Sequence, residues 1–204
     1  MNAPAPFRIE YVNPRDPVPV PEPYEEYDVE SAFYDYLPSH ARAAVVMDGY
    51  RLELAGVKLV YLVRWSLPLA EDLAARDPRP SPGDIRRDIP DLPAGAKTYS
   101  ITFVDFMIWF PIIVFARVGA TTYVYTRTAS ETDSFRLVVR EHDREAPVVL
   151  PTREIVEAIR AFLTAYLDDL VAEFPFIEAD EMYRTYRRRI AALASGESST
   201  ERSP

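Results

Sequence analysis

The chain has 204 residues, 48% apolar and 27% charged, with 23 Lys and Arg against 32 Asp and Glu, a net charge of −9. That size and mix describe one globular domain with room for short arms, able to bury about 70% of its unfolded surface without a covalent staple. The lack of cysteine excludes disulfides, thiolate zinc sites, iron–sulfur clusters and Cys nucleophiles, and two histidines, His40 and His142, are too few for a His-rich metal centre. No cofactor is expected. The acidic balance argues against nucleic acid as a partner, because backbone binding needs clustered positive charge.

Met1–Arg8 shows no basic region followed by an apolar core, so no secretory signal is expected and the chain reads as cytoplasmic. Lys58 and Lys97 are the only lysines among the basic residues, an Arg/Ala/Pro bias associated with GC-rich bacterial genomes. Prolines stand at 4, 6, 14, 17, 19, 21 and 23. Proline fixes φ and removes an amide donor, so residues 1–37 read as an extended arm that supplies no core strand. Within it, the carboxylates at 10, 16, 22, 25, 26, 28, 30 and 35 face only one basic residue beyond Arg8, Arg15. Tyrosines 24, 27, 34 and 36 are interleaved with them. Tyrosine offers large contact area for few frozen rotors, so Tyr24, Glu25, Glu26, Tyr27, Asp28, Tyr34 and Tyr36 are the candidate partner-binding residues. The partner is a protein, steered by charge if it is basic, or another copy of this chain.

Residues 38–194 read as a single domain. Ala41–Met47 and Tyr50–Leu54 flank Asp48-Gly49, a hairpin signal. Val57–Trp65 reads as a third strand, followed by a short helix capped by Ser66 with Pro68 in its first turn. Residues 76–96 carry five prolines and form a loop long enough to suspect of function. The stretch from Ser100 to Ala116 calls for a membrane test. Its uninterrupted apolar run, Phe106–Ala116, is shorter than the roughly 20 residues a spanning helix needs and is rich in β-branched and aromatic residues. It therefore reads as two buried strands, Tyr99–Phe110 and Ile112–Val118, and membrane is not the expected partner. Thr121–Thr128, Phe135–Arg140 and Pro147–Leu150 continue the strand pattern.

The clearest pattern comes last. Ile155, Val156, Ile159, Phe162, Leu163, Tyr166, Leu167, Leu170, Val171 and Phe174 recur at steps of three and four. They predict a helix over 152–174 that lays one apolar stripe on the sheet, with Thr152 as N-cap and Pro175 as its end. A second helix is expected over 178–194, and residues 195–204 form a polar tail. The fold class is therefore α+β: a mainly antiparallel sheet of about six strands covered by these two helices.

Catalytic vocabulary is thin. There is no glycine-rich phosphate loop, GxSxG or HExxH. Glu141-His142-Asp143 is a solvated turn at the sequence level. Asp168, Asp169 and Glu173 fall on the polar side of the long helix. Asp105, a carboxylate inside an apolar strand, is the candidate pocket residue, since a charge placed there needs a partner or a ligand. Arg184, Arg187, Arg188 and Arg189, alternating with Tyr183 and Tyr186, form either a single-strand nucleic-acid platform or a set of ion pairs with the acidic N-terminal segment.

The layout of strands, polar hairpin, short strand ending in Val148-Val149-Leu150-Pro151 and long amphipathic helix resembles small bacterial α+β families, among them some immunity proteins of polymorphic toxin systems. The likeness is architectural and assigns no residue. It implies a non-enzymatic binding protein of inhibitor or immunity type. The alternatives are a structural or assembly subunit of a phage particle or injection-type machine, and a small-ligand protein or enzyme with a pocket at Asp105.

Overall fold

The computed structural model describes residues 7–12, 42–47, 50–53, 59–75, 92–102, 111–128 and 146–195. They form seven strands and three α-helices, so the α+β class holds. The strands are β1 (Phe7–Val12), β2 (Arg42–Met47), β3 (Tyr50–Glu53), β4 (Lys97–Thr102), β5 (Pro111–Val118), β6 (Thr121–Thr128) and β7 (Val148–Pro151). The helices are α1 (Leu59–Ala74), α2 (Thr152–Glu173) and α3 (Glu181–Ser195). A 3₁₀ turn, Pro175–Ala179, joins the last two.

The single sheet of about six strands is corrected to two antiparallel sheets, one ordered β1-β2-β3 and one ordered β4-β5-β6-β7. The Asp48-Gly49 expectation is met: Met47 pairs with Tyr50 across a two-residue turn. A second tight hairpin joins β5 to β6, where Val118 faces Thr121 and Gly119 takes φ +60°. That left-handed conformation is easy for glycine, which has no Cβ to clash.

The arm was expected to supply no strand, and here the structure differs. β1 pairs with β2 along its full length, from Phe7 opposite Met47 to Val12 opposite Arg42. Phe7 is 2% exposed, its ring edge-on to Phe115 at 6.2 Å. The reason is local: residues 7–12 read FRIEYV, a proline-free alternating segment between proline clusters, and alternation is what a strand needs to present one apolar face. Residues 13–41, 103–110 and 129–145 lie outside the described set, as do the expected strand Phe135–Arg140 and the tail from residue 196.

The strand expected over Val57–Trp65 is a further correction, for α1 already runs from Leu59 and carries Pro68 in its interior. An unbroken apolar run fits either period. Packing against α2 decides for helix, and it buries Ser66, Leu67, Leu69, Ala70 and Leu73. The C-terminal carbonyls of α1 are met by Arg117 of β5, which donates to the Leu73 and Ala75 oxygens at 2.6 and 2.7 Å. A cation at that end also suits the helix dipole.

α2 is the helix expected from the periodicity. Ile155, Val156, Ile159, Phe162, Leu163, Tyr166, Leu167 and Leu170 are all buried. It packs on α1, β1 and α3 rather than covering one broad sheet. Thr152 does not cap it. Pro151 holds the cap position, and the Thr152 hydroxyl instead meets Thr122 of β6 at 2.9 Å, in a buried contact. One apolar cluster joins both sheets and all three helices. Val114, Ala116, Tyr125 and Ala96 form a second cluster on the other face of the four-stranded sheet. Burial on both faces is why β5 reads as a continuous apolar run without alternation. No helix among the described residues is long and apolar enough to cross a membrane.

Candidate binding groove on the third helix

α3 starts where Asp180 turns its carboxylate back on the chain. Asp180 Oδ1 accepts from the Met182 and Tyr183 amides at 2.7 and 3.2 Å, satisfying two of the free donors of the first turn. Helical spacing then divides the arginines between two sides. Arg189 turns inward to α1 and donates through Nε and Nη2 to both oxygens of Glu71, each at 2.7 Å. The bonds to Glu71 hold its guanidinium above the usual range against the opposing effect of burial. It also lies over Tyr186, 5.9 Å from the ring centre. Arg187 is half-buried. It bonds Asp168 of α2, donates to the Tyr183 hydroxyl at 2.7 Å and lies 5.3 Å from that ring. Burial works against its charge, and the bonds to Asp168 and Tyr183 outweigh it, so this guanidinium too is raised.

Arg184 and Arg188, one turn apart, face out. Among the described residues, the Arg184 guanidinium donates to the Glu178 carbonyl at 3.3 Å, and Arg188 donates to Thr185 at 3.1 Å, with its carboxylate neighbour Glu181 at 3.9 Å. Together with Arg187, Tyr183, Pro175, Glu178, Ala179 and Glu181 they line an open cleft of about 880 Å³. Phe176 and Met182, adjoining these residues in sequence, are exposed. The cleft thus offers spare guanidinium donors, two carboxylates and adjacent apolar surface. It suits charged peptide-like groups better than a small apolar ligand, which an enclosed pocket would favour.

Among the described residues the arginine run pairs with Glu71, Asp168 and Glu181 of the helices, and all but Glu10 of the carboxylates of the acidic N-terminal segment lie outside those residues. Of its two tyrosines, Tyr183 is buried and Tyr186 packs on the core. Of the acidic residues on α2, Asp168 is the partner of Arg187, while Asp169 lies near Tyr11. The candidate contacts Tyr24, Glu25, Glu26, Tyr27, Asp28, Tyr34 and Tyr36 lie outside the described residues, as do Asp105, His40, His142 and most of the 76–96 loop. The cleft itself was missed from sequence. Its signal was the pairing of Pro175 with the Asp180 cap, which sets the elbow where α2 and α3 diverge.

Comparison with protein-family models, curated proteins and solved structures finds no match.

Proposed function

We propose that this is a non-enzymatic protein that works by contact with another protein, in the manner of an inhibitor or immunity protein. The observation that carries the reading is the open cleft at the elbow between α2 and α3, with Arg184 and Arg188 holding spare donors beside exposed Phe176 and Met182. Apolar anchors next to charged groups of both signs are the composition of a protein interface. The net charge of −9 steers the molecule toward a basic partner, while the groove's own arginines and glutamates fix orientation. The tyrosine- and carboxylate-rich stretch Tyr24–Tyr36 is proposed as the second contact surface.

The test is charge reversal. The double variant Arg184→Glu/Arg188→Glu is expected to keep its thermal midpoint within about 2 °C and to weaken association with the products of neighbouring genes at least tenfold. Any association left intact by that variant and by reversal of Glu25, Glu26 and Asp28 would remove the reading.

A further inference from the structure

We propose that the cleft at the elbow between α2 and α3 pairs with the same cleft of a second copy of the chain about a two-fold axis, the acidic end of each meeting the basic end of the other. The proposal rests on the reading of this cleft as a protein-contact surface and names the occupant it takes in the free protein.

The exposed charges here are sorted along the surface. Glu178 and Glu181 stand at the start of α3, and Arg184 and Arg188 follow one and two turns further on, all four lining the cleft. Steps of three and four residues keep Glu181, Arg184 and Arg188 on one side of the helix. Their ties within the chain are slight. Arg184 uses its Nε–H on the Glu178 carbonyl at 3.3 Å, and Arg188 reaches Thr185 at 3.1 Å and Glu181 at 3.9 Å, the last pair being largely exposed. An exposed pair at that distance contributes little, and each guanidinium carries five N–H donors, so most remain for another molecule.

Two carboxylates at one end and two guanidiniums at the other make a surface complementary to itself when it is turned end for end. A two-fold interface has that requirement, because one patch serves both copies. Setting Glu181 against Arg184 of the second copy places the axis beside Met182. Met182 and Phe176 are exposed, and the two-fold doubles them to an apolar centre with charged flanks, the arrangement of a protein interface.

Charge also selects the occupant. Two copies, each at −9, repel over most approaches. On this cleft three arginines stand against two glutamates, so the approach is not opposed. A nucleic acid would set its uniformly negative backbone against Glu178 and Glu181. A purely basic segment would face the arginines. A second copy satisfies both signs at once. The contact is small, so the dimer is expected to be weak and concentration-dependent.

Sedimentation of the full chain from about 1 μM to about 1 mM reads the association, a range that reaches contacts of millimolar affinity. Arg184→Glu/Arg188→Glu and Glu178→Arg/Glu181→Arg are each expected to weaken self-association by about tenfold or more. An equimolar mixture of the two is expected to recover it as a mixed dimer, since acid then meets base at both ends. A wild type still monomeric at about 1 mM, a reversal that leaves association unchanged, or a mixture that recovers nothing overturns the proposal. Should a reversed chain melt early, Arg184→Gln/Arg188→Gln and Glu178→Gln/Glu181→Gln remove the pairs without adding like charge, and each is expected to weaken the dimer about threefold. Unchanged affinity in both would again overturn it. The chain has no cysteine, so Met182→Cys reports on the axis without background. It is expected to cross-link two copies under mild oxidation much faster than Val118→Cys, which alters a comparably exposed residue (38% against 36%) at the β5–β6 turn. Equal rates would place the contact elsewhere and overturn the proposal. A monomeric wild type whose Arg184→Glu/Arg188→Glu variant loses contact with a foreign protein overturns self-pairing and leaves the inhibitor reading standing.

Discussion

Both sheets pair their strands in chain order, and they differ in how far apart in the chain their strands lie. In the four-stranded sheet β5 turns into β6 through two residues, β7 follows β6 after residues 129–147, and β7 leads straight into α2. In the three-stranded sheet, β2 and β3 form an equally tight hairpin, but β1 reaches its place only across residues 13–41. Local pairings close small loops and form early; a distant strand must meet the loop-closure entropy before its contacts reward it. The contrast teaches that burial and cooperativity are separate matters. Phe7 is as buried as Phe162, yet its strand is separated from its β2 partner by residues 13–41.

The sharpest way to break the comparison is to remove β1. Truncation of residues 1–37 uncovers Phe115, Phe162 and Tyr166 together. It is expected to lower the thermal midpoint by about 10 °C or more, since each kcal/mol is worth roughly 2–4 °C at this size. A truncated chain as stable as the full one would show that the arm is outside the cooperative unit.

Next come the single core substitutions. Phe162→Ala and Phe7→Ala should each cost about 3–5 kcal/mol in denaturant unfolding, the usual loss for a buried Phe. If β1 opens locally, native-state hydrogen exchange will show Ile9 and Tyr11 amides exchanging well before those of β5. Equal protection of the two strands would erase the distinction drawn here.

A smaller effect tests how α3 is held. Glu71→Ala and Arg189→Ala, combined in a double-mutant cycle, should reveal a coupling of about 1 kcal/mol, at the upper end for partly exposed pairs because the contact is bidentate. Zero coupling would mean that Tyr183, Ile190 and Leu193 alone seat the helix.

The smallest effect at neutral pH, and the most specific, concerns Tyr11. Its hydroxyl is buried with the Asp169 carboxylate beside it, and no hydrogen bond of good geometry forms there among the described residues. Burial first, then the charge of Asp169, keeps the phenol protonated well above its ordinary range. Burial, then Tyr186, does the same for Tyr166. A raised folded-state pKa leaves stability intact below the unfolded value near 10 and erodes it as pH rises beyond. Unfolding free energy should thus be flat to about pH 10 and then fall by up to about 1.4 kcal/mol per pH unit for each tyrosine. Tyr11→Phe should change stability by no more than about 0.5 kcal/mol at pH 7 and make the alkaline fall less steep. An alkaline slope identical to wild type would show that this phenol ionises freely.

The sequence by itself determined whatever a local pattern encodes. The stripe from Ile155 to Leu170 specified α2, because a 3.6-residue period has one way to face a core. Gly119 specified its turn, because few residues accept a left-handed φ, and Asp48-Gly49 marked the two residues that separate paired Met47 and Tyr50. Only the tertiary structure decided the rest. The apolar run after Val57 is compatible with strand or helix, and contact with α2 chose helix. FRIEYV carries strand periodicity but no sign of its partner, since β2 lies beyond residues 13–41. Arg184, Arg187, Arg188 and Arg189 look alike in sequence. Helix geometry and the positions of Glu71 and Asp168 turned two of them into ties between helices and left two facing the groove. Pairing between distant segments depends on where whole elements come to rest, and no short window of sequence records that.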